Sequence, residues 1–308
     1  MSTGEETRRG PVYAALRSGF RAMPRPLRSA LGGARDAAAR LKGGVRPGLR
    51  RLRLKSGALV GRYRCSVCGS RVASFDPLPD FYVEEARRHG FKYTPDEAEM
   101  CNARQYSCPL CGASDRDRLY ALYLQEYFRE PPAGGAGKFV DFAPAPALSG
   151  FVRKLIERSS RTFSYVTADL FKEDVDDRVD ITDMKIYGDE SVDFFICSHV
   201  LEHVTDDRRA LAELYRFLKR GGRGILVVPI VLSATEIDED PSVTDAAERW
   251  RRFGQDDHVR LYSKEGFLSR VGEAGFEVRQ LGRSHFGARA FGRHGITDQS
   301  VMYVVEKR

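Results

Sequence analysis

The sequence predicts an α/β fold in which a doubly wound, mostly parallel sheet with an antiparallel last strand follows a small cysteine-rich module. Apolar runs of strand length occupy residues 192–197 and 224–230, and a helical repeat of apolar residues separates them. A strand, a helix and a strand with short connections form a βαβ unit, which requires parallel strands. Two closely spaced cysteine pairs before residue 112 predict the module.

The helix of this unit has recognisable ends. Thr205 or Asp206 can cap its N-terminus, and its apolar residues recur at spacings of three and four up to Leu218. Gly221 and Gly222 are expected to end it. A polar patch, residues 199–203, directly follows the first strand. Since ligands of open parallel sheets bind at the carboxyl ends of the strands, this patch predicts a binding site.

The rest of the sheet follows from the same patterns. A helix is expected over residues 264–274, where Gly275 ends it. Two alternating segments are expected to pair as an antiparallel hairpin that closes the sheet. The remaining expected strands and this hairpin cover residues 138–142, 163–167, 276–281 and 301–306.

Composition and charge describe two unlike parts of the chain. The sequence is 42% hydrophobic and 30% charged, without a run of eighteen apolar residues or an N-terminal signal peptide, so we expect a cytoplasmic protein without a transmembrane helix. Residues 1–64 carry sixteen Lys and Arg against three acids, whereas residues 65–308 carry thirty-four against forty. Residues 1–62 are expected to be a partly disordered basic extension; the alternatives are a handle for membrane phosphate or nucleic acid, or an organelle transit peptide.

The cysteine pairs have the spacing of zinc knuckles. Cys65 and Cys68, like Cys108 and Cys111, are separated by two residues and followed by glycine. Four thiolates complete a closed tetrahedral site, so the sequence predicts a structural Zn²⁺ ion. The alternatives are four free thiols or two disulfides, and the absence of a secretion signal argues against disulfides. Cys101, between the pairs, is expected to be a plain thiol.

These features divide the sequence into three regions. The basic extension covers residues 1–62, and the zinc-knuckle module with a helix over 115–128 covers residues 63–130. The run P-P-A-G-G-A-G at 131–137 breaks regular structure and precedes a domain over residues 138–308.

The βαβ unit contains the motifs D-x5-H-V-L-E-H from Asp193 and L-Y-R-x-L-K-x-G-G from Leu214, and a V-P that follows five residues later. With these motifs it resembles the second half of class I S-adenosylmethionine-dependent methyltransferases of the type 11 kind. The resemblance extends over residues 138–308 and is densest between residues 169 and 230. It implies a Rossmann-like domain that binds S-adenosylmethionine and transfers its methyl group.

The resemblance also implies where the cofactor lies, with one departure. The family's first strand leads to an acid, here Asp141, and then to a G-x-G-x-G loop. Here the loop is A-P-A-P-A at residues 143–147, so that Ala143 and Ala145 occupy glycine positions and prolines remove N–H donors. We interpret it as a variant loop that still admits the methionine part of the cofactor. The alternative is a domain that binds no cofactor.

The second strand and the segment after it are expected to complete the cofactor site. Asp169, at the end of that strand, is expected to accept hydrogen bonds from the ribose hydroxyls. Asp180 is expected to accept from the adenine amine while Ile181 packs on the ring. His199 is expected to contact the cofactor through its backbone.

The connection over residues 231–262 is expected to overhang the cofactor and to carry catalytic residues. An imidazole there could take the proton of a hydroxyl or amine acceptor, with Glu202 orienting a neighbouring ring. The candidates for this base, in order of preference, are His258, His203 and His199. Asp256 or Asp257 is expected to orient His258. The alternative is that residues 253–262 are only a lid, held by Arg260 pairing with an acid.

The predicted function is methyl transfer to an oxygen or nitrogen of a small molecule, such as a sugar or a secondary metabolite. The acidic balance of residues 65–308 argues against a polyanionic substrate. One alternative is an RNA methyltransferase in which the zinc module and the basic extension hold phosphate. Another is a non-catalytic scaffold that retains a relic of the cofactor pocket.

Overall fold

A computed structural model describes residues 61–129, 136–160 and 162–308. The basic extension predicted over residues 1–62 therefore lies outside the described residues, apart from its last two. The described residues belong to one compact unit. In the described part of this unit, no helix is both long enough and apolar enough to cross a membrane.

The strands alternate with the helices along the chain. In order, the strands are β1 (Tyr63–Arg64), β2 (Arg71–Val72), β3 (Gly137–Phe142), β4 (Phe163–Asp169), β5 (Asp177–Arg178), β6 (Val192–Ser198), β7 (Leu218–Val227), β8 (Asp238–Glu239), β9 (Arg260–Leu261), β10 (Glu277–Leu281) and β11 (Met302–Glu306). The α-helices are α1 (Asp80–Arg88), α2 (Asp115–Tyr127), α3 (Pro146–Arg158), α4 (Asp207–Phe217), α5 (Ala246–Phe253), α6 (Lys264–Glu273), α7 (Arg283–Phe286) and α8 (Ala288–His294).

The central sheet confirms the predicted fold class. Within the described residues it has seven strands in the order β10-β11-β7-β6-β3-β4-β5. The five adjacent strands β7, β6, β3, β4 and β5 are parallel to one another. Strand β11 runs antiparallel to both β7 and β10. The sheet is therefore mostly parallel and ends in the antiparallel pair that the sequence predicts.

The end of helix α4 differs from the sequence prediction. Asp206 caps the helix by accepting from the N–H of Arg209, but the helix ends at Phe217, before the two glycines. Gly221 and Gly222 lie inside β7, where Gly221 has a φ of 72° and donates its N–H to the carbonyl of Lys307. The glycines therefore bend a strand against β11 and do not end the helix.

The connection over residues 231–262 is more ordered than the sequence prediction of a long polar loop. Strands β8 and β9 pair antiparallel, and helix α5 lies between them. Trp250 and Phe253 on α5 are buried. This small subdomain ends at β9, next to the carboxyl edge of the central sheet, because Ile230 forms a parallel bridge with Tyr262.

Helix α2 packs against the central sheet. Its Leu119, Tyr120 and Leu124 are fully buried in the same apolar core as the strands. The ring of Tyr127 lies 4.6 Å from the ring of Phe194 on β6, measured between centroids. Helix α2 and the strands that follow residues 131–137 therefore share one core, although the sequence predicts separate domains on the two sides of this run.

Arg118 connects the cysteine segment, helix α2 and helix α8. Its side chain is fully buried, and its guanidinium lies 3.6 Å from the centre of the Phe75 ring. Its N–H groups donate to five backbone carbonyls from three parts of the chain, those of Gln105, Tyr106, Ala113, His294 and Gly295. A planar fork of five donors suits this arrangement, and a lysine ammonium cannot reproduce it.

We predict that Arg118→Lys lowers the free energy of unfolding by about 2–4 kcal/mol, because buried carbonyls lose their donors while a positive charge remains. Urea unfolding followed by circular dichroism measures the change. The control is Arg104→Lys, at an exposed position on the same segment. Equal stability of the two variants would contradict the role given to Arg118.

Candidate active site

The parallel strands bring several loops to one edge of the sheet. Phe142, at the end of β3, is in register with Ala168 on β4 and with Cys197 on β6. The segments that follow these three strands therefore begin side by side. Since the carboxyl edge is where open parallel sheets bind ligands, these segments define the candidate site.

The first loop is a tight turn built from small residues. Ala143 has a φ of 49°, in the left-handed region that favours glycine, and its N–H donates to the carbonyl of Ala168 at 2.9 Å. Ala145 precedes helix α3, whose first residue is Pro146. The backbone of Ala143 thus adopts a conformation that the family's glycine would allow, although the side chain differs.

Asp141 lies beneath this loop and is directed into the core. It is 2% exposed, and its Oδ2 accepts from Ser149 Oγ at 3.0 Å and from the Tyr165 hydroxyl at 2.5 Å. Burial raises the pKa of Asp141 to about 6. The carboxyl group thus connects β3 to α3 and β4 and does not face the open edge.

The predicted ribose and adenine residues lie at the ends of neighbouring segments. Asp169 ends β4, and its Oδ1 accepts from the N–H groups of Phe171 and Lys172 at 2.8 and 2.9 Å. Asp180 Oδ1 accepts from the N–H and hydroxyl of Thr182. Ile181 is buried at 7% exposure. Hydrogen bonds from the backbone N–H groups of residues two or three positions later therefore hold both carboxylates in fixed turns.

The polar patch after β6 is held by β7. His199 has a φ of 55°, and its N–H donates to the carbonyl of Val227 at 2.8 Å. A 3₁₀ turn over Leu201–His203 follows. His199 Nδ1 lies 3.4 Å from Glu202 Oε1. The backbone turn therefore points Glu202 back toward the strand ends.

The imidazole–carboxylate cluster consists of Glu202, His203 and His258. One nitrogen or oxygen atom from each residue lies within 4.8 Å of the others. Glu202 is fully buried, and within the described residues neither of its carboxylate oxygens has a hydrogen-bond partner. His203 Nε2 lies 3.8 Å from Glu202 Oε1. Burial raises the pKa of Glu202. The structure thus brings together Glu202 and the two preferred candidates for the base, His258 and His203.

Both imidazoles are oriented through Nδ1. His258 Nδ1 lies 3.2 Å from the carbonyl of Phe253, which leaves Nε2 as its free nitrogen. His203 Nδ1 lies 3.4 Å from Asp257 Oδ2, and the two imidazole rings are 4.8 Å apart and nearly perpendicular. His258 is buried, and this burial lowers its pKa, which favours the neutral form of the ring. Asp257 therefore orients His203, and the expectation that it orients His258 is wrong.

Arg260 holds the two segments of the cluster together. Its side chain is 1% exposed, and its guanidinium donates to the carbonyls of Leu201, Val204 and Thr205. Its Nε donates to Glu239 at 3.0 Å. Arg260 pairs with an acid, as the lid alternative expects, and it also fixes the turn that carries Glu202.

Helix α2 contributes residues that the sequence analysis did not assign to the site. The Tyr120 hydroxyl lies 2.9 Å from Ser198 Oγ, at the end of β6. Burial raises the pKa of Tyr120 and of Glu202, and the charge of the partly buried Arg116 offsets part of that rise. The signal in the sequence is the charged run D-R-D-R, which opens an otherwise apolar helix.

The cysteine cluster lies next to helix α2, since Ser66, between Cys65 and Cys68, donates its hydroxyl to the carbonyl of Arg118 on that helix. Cys65 Sγ is 3.8 Å from Cys111 Sγ, and Cys68 Sγ is 3.9 Å from Cys108 Sγ. A zinc–sulfur bond of about 2.3 Å corresponds to a tetrahedral S–S edge of about 3.8 Å. The four thiols therefore have the spacing of a tetrahedral metal site.

The two knuckles have the same backbone. Gly69 and Gly112 have φ values of 75° and 78°, and each donates its N–H to the carbonyl of the first cysteine of its pair. This conformation explains the glycine after each pair, since other residues adopt positive φ at a cost.

Comparison with known proteins identifies the class of the domain. Residues 150–226 match the family model described as a methyltransferase domain. No curated protein matches the chain. With the observed sheet, the match confirms that the chain contains a class I S-adenosylmethionine-dependent methyltransferase domain.

Several solved structures are similar to the chain at low identity. The YcgJ protein from Bacillus subtilis is 14% identical, with 60% of this chain and 97% of that chain covered and a TM-score of 0.36. The CurJ carbon methyltransferase is 15% identical, with coverages of 61% and 53% and a TM-score of 0.40. The Haemonchus contortus phosphoethanolamine N-methyltransferase 2, in complex with S-adenosyl-L-methionine, is 13% identical, with coverages of 63% and 60% and a TM-score of 0.35.

We predict a pH-dependent stability effect at Asp141. Because its folded pKa is raised, the unfolded chain ionises first as pH rises, so Asp141 destabilises the fold above the unfolded pKa. The stability of the wild type minus that of Asp141→Asn should fall by about 3 kcal/mol between pH 4 and 7. Thermal unfolding at several pH values measures this difference.

Asp176 provides a control of opposite sign. Hydrogen bonds from the N–H and hydroxyl of Thr167 lower the pKa of Asp176. The stability of the wild type minus that of Asp176→Asn should therefore rise with pH over the acid range. If the stability difference between wild type and variant changed with pH in the same direction for Asp141→Asn and Asp176→Asn, the environment assigned to Asp141 would be contradicted.

Proposed function

We propose that the protein transfers the methyl group of S-adenosylmethionine to an oxygen or nitrogen of a small-molecule acceptor. The observation that carries the proposal is the imidazole–carboxylate cluster, which lies at the carboxyl edge of a methyltransferase sheet. In the reaction the sulfur–methyl bond breaks as the bond from methyl to acceptor forms. S-adenosylhomocysteine then leaves with the electron pair of the broken bond.

The ends of four strands, β3, β4, β5 and β6, supply the proposed cofactor site. Ala143 and Ala145 form the turn beside the methionine portion, and Asp169 accepts hydrogen bonds from the ribose hydroxyls. Asp180 and Ile181 hold the adenine, while the backbone of His199 closes the site between β6 and β7. The support is that these residues end or follow neighbouring strands, and that each carboxylate is already fixed by backbone N–H groups. Asp141 supports the loop from below.

The imidazole–carboxylate cluster is assigned to the acceptor. Methyl transfer depends mainly on aligning the nucleophile, the methyl carbon and the sulfur. His203 is partly exposed, with 36% of its side chain accessible, and so can meet a ligand that enters from solvent. His258 and Glu202 lie behind it. The cluster as a whole would orient the acceptor and remove its proton.

A small acceptor agrees better with the charges than RNA does. Residues 65–308 carry six more acids than bases, and the partly exposed carboxylate of Asp257 lies beside His203 on the accessible side of the cluster. An electrostatic surface for phosphate would need the opposite sign. Binding of nucleic acid that depends on residues 1–60 would favour the RNA alternative.

The cysteine cluster is assigned a structural zinc ion. Its four sulfurs are saturated by one tetrahedral ion, which leaves no position for a substrate. Reduced thiolates agree with a reducing compartment such as the cytoplasm. The ion would hold the knuckles against helix α2, which carries Arg116 and Tyr120 to the site.

We predict that Asp169→Ala weakens S-adenosylmethionine binding by about tenfold to a hundredfold, since two ribose hydroxyls lose an acceptor. Isothermal titration calorimetry measures the affinity. The control is Asp183→Ala, because Asp183 pairs with Lys185 at the surface.

A second variant separates binding from turn formation. Asp169→Asn keeps an oxygen for the N–H groups of Phe171 and Lys172 and removes the charge. It should also weaken binding. If the wild type does not bind S-adenosylmethionine, the proposed function is wrong, and the chain is a scaffold. If it binds, labelled cofactor with a set of hydroxyl and amine acceptors tests the transfer.

We also predict one zinc ion per chain that persists through gel filtration in reducing buffer. Elemental analysis of Cys108→Ser should show its loss, whereas the control Cys101→Ser should retain it, since Cys101 lies outside the four-sulfur cluster. Iron in place of zinc, or full zinc retention in Cys108→Ser, would refute the assignment.

A further inference from the structure

The burial of the Glu202 carboxylate is energetically unfavourable, and the fold alone does not explain it. Its carboxylate is fully buried, and within the described residues neither oxygen has a hydrogen-bond partner. A buried carboxylate is normally hydrogen-bonded, paired with a cation or bound to a metal ion. The imidazoles of His199 and His203 lie 3.4 and 3.8 Å from its Oε1, and Arg116 is close enough for its charge to act on the carboxylate without donating a hydrogen bond to it. A buried carboxylate at the functional edge of the sheet that accepts no hydrogen bond points to a role in binding a cation directly.

The neighbouring side chains complete a recognisable set of donors. His203 and His258 each place a ring nitrogen within 4.8 Å of Glu202 and of each other. Two imidazoles and one carboxylate are a common ligand set for divalent transition metal ions, and three protein ligands leave positions for water or substrate. We propose that Glu202, His203 and His258 bind a divalent transition metal ion, distinct from the zinc of the cysteine cluster.

The second layer of contacts agrees with this proposal. Histidine ligands usually donate their other ring nitrogen to a carbonyl or a carboxylate, which fixes the tautomer and the orientation of the ring. His258 Nδ1 faces the Phe253 carbonyl at 3.2 Å, and His203 Nδ1 faces Asp257 Oδ2 at 3.4 Å. Both rings therefore keep Nε2 for an ion. His203 Nε2 is also the atom nearest Glu202.

The backbone that carries the donors is fixed before any ion binds. The N–H of Val259, next to His258, donates to the carbonyl of Glu202 at 2.9 Å. Arg260 donates to the carbonyls of Leu201, Val204 and Thr205, on both sides of Glu202. Only small side-chain movements are then needed to bring the donors to metal–ligand distances of about 2.0–2.2 Å.

The donor types restrict the ion. Mg²⁺ and Ca²⁺ prefer all-oxygen surroundings, whereas two imidazole nitrogens favour Mn²⁺, Fe²⁺, Co²⁺ or Zn²⁺. The absence of sulfur from this cluster separates it from the four-cysteine site. An ion here would polarise an acceptor hydroxyl and lower its pKa, which gives the cluster a specific way to activate the acceptor. That consequence rests on the proposed function, but ion binding does not.

The test is titration of the full-length, zinc-loaded protein with Mn²⁺ and Co²⁺. Calorimetry should show one further equivalent bound per chain, and Co²⁺ in this site should lack the intense absorption of cobalt–thiolate bonds. Glu202→Gln and His203→Asn should each weaken binding at least tenfold. Asp257→Asn should weaken it by a smaller factor. Circular dichroism confirms that each variant is folded, and His203→Asn, at a partly exposed position, is the safer variant.

The matched control is His285→Asn, which removes a surface imidazole that pairs with Glu126 at 2.9 Å. It should bind the ion like the wild type. Absence of a second equivalent in the wild type would overturn the proposal, as would equal affinity in Glu202→Gln. Methyl transfer at an unchanged rate by protein that binds no second ion would overturn the role given to the ion in activating the acceptor, and would leave the proposed methyltransferase function intact.

Discussion

The candidate site depends on the buried guanidinium of Arg260. The cluster is made of two segments 55 residues apart in sequence, and Arg260 donates to the backbone carbonyls of the first segment from its place on the second. Its charge is balanced by Glu239 and Asp207, which Arg270 also contacts. Because hydrogen bonds to a buried charge are among the stronger ones in proteins, this network can hold Glu202 in an unfavourable environment.

The second constraint is the packing of helix α2. The same helix meets the cysteine cluster through Arg118 and the sheet through Tyr120 and Tyr127. Its first turn carries Arg116 toward Glu202. The residues that surround the site therefore come from segments before residue 131 and after residue 137, whereas the family match covers only residues 150–226.

Much of the sheet could be predicted because its signals are local. Apolar runs and helical periodicity predicted β6, α4 and β11. The family pattern pointed to Glu202 and His203, whereas His258 was predicted from its place on the connection over residues 231–262. The predicted end of α4 was wrong because the conformational freedom of glycine suits both the end of a helix and a bend in a strand. The hydrogen bond from Gly221 to Lys307, which the local sequence does not reveal, selects the strand. The partner of Asp257 could not be predicted, since two imidazoles compete for it and only tertiary contacts select His203.

The shared core has a consequence for how this protein can be divided. A fragment that begins at residue 137 would contain the whole central sheet and all residues of the family match, yet it would leave Phe163 and Phe194 without the aromatic rings of Tyr127 and Phe128. A large exposed apolar face promotes self-association. The segment that the family match covers is therefore shorter than the segment needed to cover the apolar face of the sheet. A gene fusion or a truncation would have to keep the longer segment, which includes helix α2.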